Sequence, residues 1–173
     1  MVIQFWTHLA DVLPLIGEYR YYNFPVGGSQ SRNIHNCDDL LGSYGDAKWA
    51  IIDLLNREYS ALLPEPFDLY NWLHNRQDEV AHFLNEAGSN VLSYSELGIP
   101  HKIETWVGKK GFILGMAQQG KGFNAGQIIH EKLKTKLKIN GGAAFTFYEN
   151  CRSAIFFDDP EDARIVYMLA MIA

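Results

Sequence analysis

Apolar residues recur at helical spacing from Asp46 to about Leu63, at Ala47, Ala50, Ile51, Leu54, Leu55 and Leu62. Ser43 and Asp46 are cap residues for such a helix, and Trp49 and Ile52 widen its apolar side enough to predict burial. Leu63-Pro64-Glu65-Pro66 stops it, because proline lacks an amide donor and restricts the residue before it. A second helix is predicted from about Pro66 to Ala87, with Leu69, Trp72, Leu73, Val80, Phe83, Leu84 and Ala87 on one stripe and Gly88 ending it. So short a connection predicts an antiparallel helical pair.

After Pro100 the period shortens. HKIETWV and GFILGMAQ alternate as strands around a turn at Gly108 to Gly111. In AGQIIHEKLKTKLK, the residues Ala125, Ile129, Leu133 and Leu137 form a helical stripe, with lysines on other positions. AAFTFY and SAIFF, separated by ENCR, predict a second hairpin. DDPEDARIVYMLAMIA predicts a closing helix: Asp159 as N-cap, Pro160 at the first position, Glu161 and Asp162 in the first turn. Residues 1–36 are left without assigned elements: aromatic-rich YRYYNF gives way to PVGGSQSRN, a turn-rich stretch read as a long loop.

The pattern describes one α+β domain over 1–173: the leading segment 1–36, a helical part at 37–90 and an α+β part at 100–173. The helical pair packs on a C-terminal antiparallel sheet with two helices. From GFILGMAQ onward the order βαββα matches five of the six elements of a ferredoxin-like unit, and HKIETWV would supply the sixth in permuted order.

Composition alters this picture little until charge is resolved along the chain. The 173 residues are 47% hydrophobic and 20% charged, a globular balance that excludes disorder and low complexity. No apolar run reaches the roughly 18 residues that cross a bilayer. The N-terminus, interrupted by His8, Asp11 and Pro14, lacks a basic lead, so neither signal peptide nor membrane anchor is expected. Two cysteines, Cys37 and Cys151, fit a reducing, cytoplasmic setting.

The net charge of -5 hides a split. Residues 1–100 hold 5 basic and 13 acidic side chains, residues 101–140 hold 8 Lys and 2 Glu, and residues 141–173 hold 2 Arg and 5 acids. The basic stretch, and Lys132, Lys134, Lys136 and Lys138 within it, is the candidate contact for an acidic protein or a phosphate-containing ligand. The solvated face of a helix is the plainer reading of the same run. Base-stacking nucleic-acid recognition is disfavoured, because Arg152 and Ala154 stand where outward aromatics would be needed.

Three other constellations bear on chemistry. Gln119-Gly120-Lys121-Gly122-Phe123-Asn124 lies between a predicted strand and helix, where glycines admit an anion to backbone amides and a helix N-terminus attracts it. Gln119, Gly120, Lys121, Gly122 and Asn124 are the candidate ligand residues. The string resembles the pyrophosphate loop of GNAT-family N-acetyltransferases: Gln119 and Gly122 match, while Asn124 replaces the usual Gly or Ala. That resemblance implies acetyl-CoA as cofactor and acyl transfer as the alternative function; otherwise no cofactor is expected. Cys37 at a helix start, His101 opening a strand and Asp158 closing another follow the chain order of papain-like hydrolases, the second alternative. Asp38 and Asp39 would oppose its thiolate. His74, Asp78 and His82 share a helix side, but the outer two are about 12 Å apart along the axis, too far for one ion, so no metal is assigned. No acid, base or nucleophile set satisfies both spacing and context. The expectation is therefore a non-catalytic binding module with a basic surface, its oligomeric state open.

Overall fold

The computed structural model describes residues 7–26, 37–72, 78–93, 101–117, 122–135, 147–148 and 150–172. Among these residues it is an α+β fold with four named helices: α1 (Leu9–Val12), α2 (Cys37–Tyr59), α3 (Glu79–Ser93) and α4 (Ala125–Thr135). Five strands, β1 (Tyr19–Val26), β2 (His101–Gly108), β3 (Gly111–Ala117), β4 (Ala154–Phe157) and β5 (Ile165–Met171), form one antiparallel sheet in the order β1-β2-β3-β5-β4.

The two-residue hairpin falls where the sequence puts it, with Lys109 and Lys110 at the turn and Val107 opposite Phe112. α2 begins nine residues before Asp46. Leu40 and Tyr44 extend the buried stripe of Ala47, Ile51, Ile52 and Leu55 toward the N-terminus. Tertiary burial therefore overrides the helix-breaking tendency of Gly42, Ser43 and Gly45. At the other end, the amides of Leu62 and Leu63 both donate to the Tyr59 carbonyl before Pro64.

α3 starts at Glu79, not Pro66. Residues 66–72 instead form turns tied to α2, where Asn56 exchanges two hydrogen bonds with the Phe67 backbone and the Asp68 carboxylate accepts the amides of Tyr70 and Asn71. Asp78 then caps α3 by accepting the Ala81 amide at 3.1 Å. Gly88 does not end the helix. It lies within α3 against the Tyr44 ring of α2, where a Cβ would overlap the Tyr44 hydroxyl.

Two expectations fail on the sheet. Residues 19–26, which span the unassigned aromatic stretch YRYYNF and the first two residues of the stretch read as loop, are β1, paired along its whole length with β2; Tyr22, Phe24 and Val26 turn one side of that strand toward the core. DDPEDARIVYM is not a helix. Its acids cap a turn, the Asp158 carboxylate accepting the amides of Arg164 and Ile165 and the Asp159 carboxylate those of Glu161 and Asp162. The apolar run that follows becomes the interior strand β5, between β3 and β4, with Val166 to Ala170 buried between two covered faces. The C-terminal part thus has one helix longer than a turn among the described residues, not two. Phe147 and Tyr148, expected to end a strand, are helical; the rest of that predicted strand, 143–146, lies outside the described residues. The elements on which the permuted ferredoxin-like reading was drawn are accordingly reassigned, although β2 does lie beside β3 as it required.

Both faces of the sheet are covered. α2, α3 and α4 bury Ile103, Val107, Phe112, Leu114, Met116 and Met168 on one. On the other, Leu9, Val12, Leu13 and Ile16 of α1 and the 3-10 turn after it (Leu13–Ile16) cover Trp106, Ile113, Phe156, Tyr167 and Leu169. Among the described residues, no helix is long and apolar enough to cross a membrane.

Candidate functional site

The most chemically suggestive loop leads into α4. Gln119, Gly120 and Lys121 lie outside the described residues; Gly122 and Asn124 lie within them. Phe123 pairs as an isolated bridge with Ala163, which joins this loop to the acidic turn before β5. The first amides of α4 are already engaged: Ala125 and Gly126 donate to the Pro160 carbonyl at 2.9 and 3.3 Å, and Gln127 donates to the Asn124 side chain at 2.7 Å. A pyrophosphate would need those donors free. The Asp162 carboxylate also occupies the space a Cβ would take at Gly122, so the glycine admits an acid of the chain itself. Among the described residues of this loop, the amide donors at the start of α4 serve the turn before β5, and the neighbouring charge is negative.

The candidate Cys37, His101, Asp158 set is not assembled. Cys37 opens α2, and its side chain lies outside the described ones. His101 begins β2 opposite Val26, while Asp158 follows β4. Strands β3 and β5 intervene, so three inter-strand steps separate them by about 14 Å. A His-Asp hydrogen bond is ruled out at that distance. Asp158 is spent on the turn amides, and burial holds the His101 imidazole below its ordinary pKa.

The lysine run begins on α4. Ala125 and Ile129 are buried, and Gln127, His130 and Glu131 are exposed. Lys132 and Lys134 belong to this helix with side chains outside the described ones; Lys136 and Lys138 lie outside the described residues altogether. At 100° per residue, positions 132 and 134 are about 200° apart around the axis, so they stand on opposite sides of the helix. Elsewhere in the basic stretch, Lys102 pairs with Glu104 at 3.1 Å and Lys109 with Glu18 at 2.6 Å. Both pairs lower the free positive charge of that stretch.

His74 lies outside the described residues, Asp78 is the α3 cap, and the His82 ring lies between Trp72 (5.5 Å) and Phe147 (4.1 Å). Among the described residues no group of three His, Cys, Asp or Glu side chains could hold a metal.

One polar cluster went unnoticed in the sequence. Glu79, in the first turn of α3, accepts hydrogen bonds from the Arg152 amide, the Ser153 amide at 3.1 Å and the Ser153 hydroxyl at 2.7 Å. Burial is the largest single influence on this carboxyl and raises its pKa. The hydrogen bonds from Ser153, Arg152 and Cys151 together outweigh burial and hold it below the usual carboxylate value. Burial, reinforced by the Glu79 charge, pushes the Cys151 thiol up to about 12, so this cysteine is an unreactive proton donor. The cluster borders a cleft of about 670 Å³ floored by Phe67, Val80, Phe112 and Met168. Partners 73 and 74 positions apart leave no local signal in a sequence.

Comparisons with protein-family models, curated proteins and solved structures returned no match.

Proposed function

We propose that the protein is a non-catalytic binding module that takes an anionic ligand, an acidic protein or a phosphate-bearing molecule, on the lysine-rich stretch that starts in α4. The observation that supports this reading best is what the ionisable groups are doing. His101 and Asp158 stand about 14 Å apart, Glu79 and Asp158 saturate backbone donors, and Cys151 holds its proton. Chemistry needs such groups to converge, and here each serves the fold. Binding needs only an exposed charged surface, and α4 has an exposed side within the stretch that carries eight of the nine lysines. The buried free thiol of Cys151 accords with work in the reducing cytoplasm.

Fluorescence anisotropy of a labelled glutamate-rich peptide and competition by tripolyphosphate test this directly. Binding is expected to weaken about tenfold between low and physiological salt. Lys132→Glu with Lys136→Glu, or Lys134→Glu with Lys138→Glu, should weaken it further. Equal affinity in both double variants and in the parent chain would refute the basic-surface reading.

A further inference from the structure

The sheet ends in an eight-residue strand whose outer edge no described strand pairs with. The Lys109 amide donates to the Glu18 carbonyl, which sets the parity of β1: Arg20, Tyr22, Phe24 and Val26 direct their backbone groups to β2. Tyr19, Tyr21, Asn23 and Pro25 therefore direct theirs outward. All four are exposed, Tyr19 at 43% and Tyr21 at 48%, and no described strand covers the edge. Pro25 occupies one of the outward positions, where its missing amide breaks no bond to β2. An open edge of this length is a template for another strand.

We propose that a second copy of this chain supplies that strand, β1 pairing antiparallel with β1 across a two-fold axis at Tyr21 to continue the sheet through both molecules. The residues of the edge select this register. An axis at Tyr22 or Asn23 would set Pro25 opposite Tyr19 or Tyr21 and leave a carbonyl of the ladder without its donor. An axis at Arg20 would set two guanidinium groups directly opposite each other. With the axis at Tyr21, Tyr21 pairs with its own copy and Tyr19 pairs with Asn23 on either side. Pro25 falls opposite Gly17, beyond the end of the neighbouring β1, so no bond is lost. On the helix-covered face each Arg20 then lies opposite Tyr22 of the other copy, a cross-strand cation-π arrangement made twice. The surface is self-complementary, as a two-fold interface must be.

Sedimentation of the full chain over about a hundredfold concentration range tests the association, with the apparent mass expected to rise about twofold. Tyr21→Pro removes the central donors without touching the β1–β2 ladder and should hold the protein at monomer mass. Tyr21→Cys tests the register independently of whether the proline variant folds. Its two copies lie about 5.5 Å apart at Cα, within disulfide range, so a non-reducing gel should show a cross-linked dimer absent from the parent chain. Asn23→Cys alone should not cross-link, whereas mixed with Tyr19→Cys it should. A monomer mass at every concentration would overturn the proposal, and so would a dimer that Tyr21→Cys fails to cross-link.

Discussion

Tyr44 and Gly88 show how closely two helices approach at a single pair of residues. The Tyr44 hydroxyl donates to the Leu84 carbonyl one turn before Gly88 and lies 3.8 Å from the Met116 sulfur. Its ring fills the space that any side chain at position 88 would need. Gly88→Ala should therefore destabilise the fold by about 2 kcal/mol in urea denaturation, the cost of overpacking a filled interior. Gly88→Ala combined with Tyr44→Phe should recover part of that loss, because the shorter ring removes the nearest atom; no recovery would show that the strain lies elsewhere. In the sequence this glycine reads as a helix end. Whether a glycine stops a helix or admits a neighbour depends on what packs against it, which residue type alone does not encode.

The elements divide by the range of the interactions that define them. The β2–β3 hairpin is legible because its turn and alternation are local. The body of α2 and the start of α4 at Ala125 are legible for the same reason, from stripe and flanking loop. β5 was not, since a run buried on both sides loses its alternation, and the acids ahead of it serve a turn cap as readily as a helix cap. Asp78 illustrates the opposite error. In the sequence it sits within a presumed long helix, whereas it begins α3 and also accepts the Asp68 amide at 2.7 Å through its second oxygen. Asp78→Ala should cost about 1–2 kcal/mol and reduce helical circular dichroism. Asp78→Asn, which keeps a capping oxygen, should cost less; equal losses in both variants would point away from capping.

Across the whole molecule, protonation sets a two-sided stability window. Burial pushes Tyr59 and Tyr167 up to about 12, raises Tyr44 and Tyr148, and with Glu79 pushes Cys151 up to about 12. Raised folded-state values mean that the folded chain holds these protons more tightly than the unfolded chain. Their contribution is complete below the unfolded values and is lost as pH rises through the folded ones, so the urea midpoint should fall steeply between about pH 9 and 12. Glu79 works in the other direction: its lowered value stabilises above the unfolded carboxylate range, and that contribution disappears as pH falls through the folded value. Glu79→Gln should flatten the acid limb and leave the alkaline limb in place; an unchanged acid limb would remove Glu79 from this role. By itself the sequence determined the α+β class, the central hairpin, the two long helices in outline and the uneven charge, because local periodicity and composition carry them. Only the tertiary structure decided that β1 edges the sheet, that β5 lies inside it between β3 and β4, that Glu79 ties α3 to the start of β4, and that His101 and Asp158 never meet. Each of these rests on contacts between residues far apart in the chain, which no local spacing records.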